Sequence, residues 1–179
     1  MNAEFERLVA HLRHLNRPVV SILRPGVDVA RFAPSFGVSG LPPSVVEWFG
    51  WCNGVERYLG QLQDDVNVIP AYNPLSIDEA IDAIPSYRGD PVLGEYFLPL
   101  LTTAGGDIYA AIWDRSGSEA SVAGVLVGES TEIEFSGIDK MMSVFNACFE
   151  GGAFFVGDDG RLVMDPEIYE EIYAQVISG

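Results

Sequence analysis

Apolar spacing changes twice along this chain, from helical to alternating and back, and that alternating block constrains the fold more than any other feature. Between Phe97 and Ile138, the segments Ile108 to Trp113, Val122 to Val127 and Glu132 to Ile138 read as strands. Turn chemistry at Ser116-Gly117-Ser118 and at Gly128 to Ser130 separates them. Connections this short predict an antiparallel meander.

Helical stripes flank the block. Phe5, Leu8, Val9, Leu12 and Leu15 predict a helix from about Ala3 to Leu15, ended by Pro18. Leu41-Pro42-Pro43 opens a short, very apolar helix carrying Val45, Val46, Trp48, Phe49, Trp51 and Cys52, which Asn53-Gly54 is expected to stop. Val66 to Ile69 reads as a strand. Ser76-Ile77-Asp78-Glu79 is a capping box starting a helix that should end at Pro85, with Ser86 to Pro91 as loop. Ile138 to Glu150 has Met141, Met142, Phe145, Cys148 and Phe149 on one face. Ala153 to Val156 and Arg161 to Met164 flank a predicted hairpin turn, and Asp165-Pro166 opens a last helix. Pro25 to Gly40, with Phe32 and Phe36, reads as an ordered connection. The expectation is an α+β fold, helices packed on a mainly antiparallel sheet, in one domain spanning residues 1–179.

Charge narrows the function. The chain has 179 residues and a net charge of −16, which disfavours nucleic acid and anionic lipid and favours a basic partner. Residues 1–33 hold five arginines against Glu4, Glu6 and Asp28, a net of +2, so the remainder carries −18. Glu4, Glu6 and Arg7 interrupt any apolar signal core, and no apolar run approaches the roughly 20 residues that span a bilayer. Cys52 and Cys148 lack metal-ligand spacing. Two thiols suit a reducing compartment, so a cytoplasmic location is expected, with one bridge between them left open.

Catalytic groups are hard to find. His11 and His14 sit on the predicted solvent side of the first helix without a third ligand, so no metal is expected. No serine lies in a nucleophile elbow, and no glycine-rich loop opens a helix, so no cofactor is expected. Gly105-Gly106-Asp107 precedes a strand and reads as a turn or bulge. A two-carboxylate hydrolase survives only as a minor alternative, requiring two acids roughly 5 to 10 Å apart across a cleft.

Several short motifs occur in an order that resembles the SUKH superfamily. They are Leu41-Pro42 opening an aromatic helix that closes with Asn53-Gly54, then Pro74 to Ala80, then Phe97-Leu98-Pro99 followed by Gly105-Gly106-Asp107-Ile108-Tyr109, and finally the helix within Ser136 to Phe149. The resemblance covers about residues 41–150. It implies an α+β, non-enzymatic protein-binding domain: an immunity protein that neutralises a cognate bacterial toxin or, alternatively, an intracellular regulatory scaffold. Leu41, Pro42, Asn53, Gly54, Gly105, Gly106 and Asp107 are then structural. Asp64, Asp65 and Asp90, in predicted loops, with Tyr58 and Tyr87 as aromatic anchors, are the candidate contacts for a basic toxin domain. Self-association stays open.

Overall fold

The computed structural model describes residues 1–30, 32 and 40–178. The elements run α1 (Asn2–His14), β1 (Leu23–Pro25), α2 (Pro43–Trp51), β2 (Cys52–Val55), β3 (Asn73–Pro74), α3 (Ile77–Tyr87), β4 (Tyr96–Thr102), β5 (Ile108–Trp113), β6 (Ser121–Val125), β7 (Glu132–Phe135), α4 (Ile138–Glu150), β8 (Phe154–Val156), β9 (Leu162–Met164) and α5 (Pro166–Ser178). Single 3-10 turns cover Pro18–Ser21 and Gln63–Val66. The fold is α+β. Half of the predicted connection from Pro25 to Gly40, including Phe36, lies outside the described residues.

The central sheet has the order β3-β4-β5-β6-β7 and is antiparallel throughout. Its register places Leu98, Ala111, Val122 and Phe135 in one row across four strands, all buried. That row forms the floor of the main core, which α1, α2 and α4 cover. Phe145 of α4 lies against Tyr109 and Phe135, and Phe5 of α1 stacks on Trp51 at 4.4 Å. The opposite face carries a smaller cluster of Leu93, Phe97, Ile108, Ala110 and Ala123. Helix α3 feeds both sides, with Ile77 and Ala80 in the main core and Tyr87 against the smaller one.

Four expectations are corrected. Asn53-Gly54 does not terminate α2, which ends at Trp51, and Cys52 lies in β2, paired with β1. The motif instead clamps α3: Asn53 Oδ1 accepts the Ile77 amide at 2.9 Å, and Gly54, at φ +76°, lies so close to Ser76 that a Cβ would come within 2.7 Å of its nitrogen. Val66 to Ile69 is not a strand; the segment turns and makes only an isolated bridge from Ile69 to Tyr72. Pro85 does not end α3, which continues to Tyr87, whose hydroxyl donates to Gly106 O at 2.7 Å. That bond and the Tyr87 ring on the smaller cluster anchor the last turn.

The fourth correction is β4, absent from the predicted elements. Phe97 to Leu101 is buried on both faces, so its apolar run lacks the alternation that marks a half-exposed strand. Pro99 is tolerated because the ladder shifts register between Pro99 and Leu101.

Helix α1 is also more enclosed than its sequence implied. The His11 ring stacks on Phe149 and is half-buried, not solvent-facing. Arg7 donates to Glu4 and Glu150, and buried Asn146 donates to Glu4 O. Both cysteines are buried free thiols.

Candidate protein-binding rim

Loops gather at the end of the sheet where β4 turns into β5, and a continuous set of hydrogen bonds ties them together. Gln63 Nε2 donates to Asn73 Oδ1 at 2.8 Å, Asn73 pairs with Thr102, Thr102 Oγ1 donates to Asp107 O at 3.2 Å, and Asp107 Oδ1 accepts the Val127 amide at 2.8 Å. Gly106, at φ +93°, makes the β4–β5 turn, and Thr103 Oγ1 donates to Asp107 Oδ2. Gly105, Gly106 and Asp107 thus build the rim, as Leu41 and Pro42 build the start of α2, where Pro42 O accepts the Val45 amide.

The rim displays what a soluble surface usually hides. Tyr58, Leu59 and Leu62 project from the loop before Gln63, Leu59 fully exposed and Leu62 67% exposed. Leu126, Val127 and Ile133 project from the β6–β7 hairpin, with Val127 68% exposed. The same segments carry half-buried Asp65, exposed Glu129 and Glu132, and one exposed cation, Arg57. Among the described residues, Glu129, Glu132 and Asp158 make no ion pair, and the sequence holds no Lys or Arg between Arg115 and Lys140. Clustered exposed apolar groups with acidic residues beside them form a pattern expected of a protein interface.

The five residues expected to touch a partner fall into two groups along this rim. Tyr58 is exposed and free to act as an anchor. Asp64 is committed internally: its carboxylate pairs with Arg17 and accepts the Leu162 amide at 3.0 Å, while its carbonyl takes a second Arg17 bond at 2.8 Å. Asp65 Oδ2 accepts the Leu62 amide at 3.0 Å, shaping the loop that presents Leu59. Asp90 accepts from Val92, Leu93 and Thr131. Burial works to raise its pKa, yet these three hydrogen bonds prevail and hold the carboxyl below its usual range. Tyr87 spends its hydroxyl on Gly106. Asp64, Asp90 and Tyr87 therefore hold the rim together, and the neighbouring apolar side chains supply its exposed surface.

A cleft of about 620 Å³ adjoins the first group, lined by Leu62, Asp64, Asp65, Asp159 and Arg161 among others. The Pro70-Ala71 turn borders it, with the Tyr72 amide donating to Ile69 O at 3.1 Å and Ala71 at φ +70°. This is a type II turn, whose third position normally holds glycine. A second cleft of about 590 Å³ lies between α3 and β4, with only Arg88 and Glu95 as charged lining.

Sequence reasoning missed Glu134. The register runs from Ala123–Ile133 to Val122–Phe135, so Glu134 is the extra residue of a β-bulge. Its side chain folds across Gly124, where a Cβ would come within 2.8 Å of Glu134 Cγ. Burial first, and the Glu132 charge second, push its carboxyl above the usual range. Its charge adds to the upward shift of the Tyr72, Tyr109, Tyr169 and Tyr173 phenols, each raised chiefly by burial. A glycine inside a predicted strand was the available signal of such close approach.

Among the described residues, no group of three or more His, Cys, Asp or Glu is arranged to hold a metal ion, and no helix is long and apolar enough to cross a membrane. Compared with known proteins, the chain matches no family model and no curated sequence.

Proposed function

We propose that this chain is a non-enzymatic, SUKH-like immunity protein that neutralises a cognate toxin by covering a basic surface of it with the rim. The rim carries the reading: six exposed apolar side chains, Tyr58, Leu59, Leu62, Leu126, Val127 and Ile133, project from one end of the sheet and the loops beside it, where the β6–β7 hairpin also carries Glu129 and Glu132, which make no ion pair among the described residues. Apolar anchors supply affinity, while the surrounding negative potential speeds encounter with a basic domain and fixes its orientation. The motif resemblance supports the same assignment, and two buried free thiols suit a cytoplasmic setting.

The scaffold alternative relied on a basic N-terminal surface. Arg7 and Arg17 are engaged within the chain, which weakens that surface, and Phe5, Leu8 and Leu12 belong to the core, so removing residues 1–33 would unfold the protein rather than separate the readings. Charge reversal at exposed Arg13 and Arg24 is the cleaner discriminator.

The decisive experiment coexpresses the chain with the toxin encoded beside its gene. Growth should be restored and a complex should copurify, weakening as salt rises. Toxicity unchanged by the presence of this chain would overturn the proposal. Loss of a partner on reversing Arg13 and Arg24, with the rim dispensable, would instead establish the scaffold.

A further inference from the structure

Glu134 is a carboxylate without a counterion among the described residues. The bulge between β6 and β7 re-aims it from the solvent side of an edge strand to lie over Gly124. Gly124 pairs directly with Tyr109, so the missing side chain leaves room beside that residue, which the Glu134 side chain occupies. Tyr72 stands 4.9 Å from Tyr109, ring centre to ring centre, and forms the next wall. On the α5 side, the Tyr173 hydroxyl donates to Glu134 O at 2.7 Å, and its ring lies 6.0 Å from Tyr169. This bond fixes the backbone of the bulge and leaves the carboxylate unbonded.

No cation among the described residues reaches it. Among the described residues, Glu134 has no ion pair or side-chain hydrogen bond. Lys140, the nearest basic residue along the sequence, donates its Nζ to Val176 O at 2.9 Å and is thereby occupied. Adjacent Glu132 adds negative charge. A half-buried carboxylate with aromatic rings beside it and an acidic neighbour is the combination that binds guanidinium or ammonium groups, by charge-assisted hydrogen bonds and cation–π contact together.

Resting on the immunity reading above, we infer that Glu134, walled by Tyr72, Tyr109 and Tyr173, receives one arginine or lysine side chain of the protein partner. Charge complementarity selects that occupant. The exposed Val127 lies on the same hairpin, so a partner engaging it brings its basic side chains to the mouth of the site.

The test uses the full chain, isotopically labelled, with N-acetyl-arginine amide as probe and the isosteric but neutral N-acetyl-citrulline amide as control. The arginine compound should shift the Glu134 carboxyl and the rings of Tyr72, Tyr109 and Tyr173 in the millimolar range, and the citrulline compound should not. Glu134→Gln, which preserves shape, should weaken the response at least tenfold. Tyr72→Leu, checked for an unchanged fold by its remaining spectrum, should weaken it about twofold to fivefold. No response, an equal response to citrulline, or a full response in Glu134→Gln would overturn the site. With the partner from coexpression, Glu134→Gln should weaken the complex at least tenfold, and Glu119→Gln, on a distant exposed loop, should not change it. Restored growth with undiminished affinity in Glu134→Gln sinks this site and leaves the immunity reading standing. An arginine response without any toxin neutralised does the reverse.

Discussion

Arg17 and Asp64 form an ion pair that joins three distant parts of the chain. The guanidinium, with a side chain only 4% exposed, lies between the Gln63–Val66 turn and the β8–β9 hairpin, where it also donates to Gly160 O at 2.9 Å. Asp64 answers with a bond to the Leu162 amide. Removing one member leaves the other charge buried and unpaired, a loss of about 3 kcal/mol or more. Asp64→Asn and Arg17→Met should each lower the unfolding free energy from urea titration by that amount, and the double variant should recover part of it. Equal losses that simply add would show that the two groups act separately.

The clamp between β2 and α3 predicts a second loss. Gly54→Ala places a Cβ against the Ser76 backbone in a conformation that disfavours side chains, at a cost of at least 2 kcal/mol. Ser76→Ala removes the capping box, in which Ser76 Oγ accepts the Glu79 amide at 3.2 Å and the Glu79 carboxylate accepts the Ser76 amide at 2.8 Å, and should cost about 1 kcal/mol. Thermal melts of both variants check the ranking.

Ala71→Gly should stabilise. The type II turn holds Ala71 at φ +70°, and relief of that strain is worth about 1 kcal/mol, a rise of roughly 2–4 °C in melting temperature for a chain of this size. A lower melting temperature would mean that unfolded-state entropy outweighs the strain.

Glu134 gives a pH dependence of known sign. Burial, and then the Glu132 charge, raise its pKa in the folded state. Its contribution is therefore most favourable below the unfolded carboxylate value and declines as pH rises through the higher folded value. Glu134→Gln should be more stable than the parent at pH 7, and the gap should close toward pH 4. Asp90 runs oppositely. Its carboxyl is depressed by the Thr131, Leu93 and Val92 hydrogen bonds against the opposing effect of burial, so its support is present at neutral pH and fades in acid. Denaturant titrations of Glu134→Gln and Asp90→Asn at several pH values should slope in opposite directions.

On the rim, Leu59→Asp, Leu62→Asp and Val127→Asp should leave stability within about 0.5 kcal/mol, since each side chain is largely exposed. If the proposed interface holds, each weakens the toxin complex about tenfold or more. Calorimetry beside thermal melts separates the two effects.

Local rules made much of the fold legible. The α4 stripe and the Ser76–Glu79 capping box placed their helices because neighbours in sequence decide those features. β4 escaped because burial on both faces erases alternation, and Val66 to Ile69 misled because a short apolar run serves a turn as readily as a strand. Asp64 was singled out from its loop and its charge, but its commitment to Arg17 crosses 47 residues and leaves no local trace. Glu134 was not singled out, because the bulge that lays it over Gly124 is a property of two strands together.

The two buried thiols turn the protein into its own recorder of opening. Cys52 on β2 and Cys148 on α4 lie far apart in sequence, each with its pKa driven by burial up to about 12, so neither reacts with an alkylating reagent while the fold is closed. Alkylation of each then clocks the release of its own element, and matching rates at the two sites would mean that the strand and the helix let go in a single event.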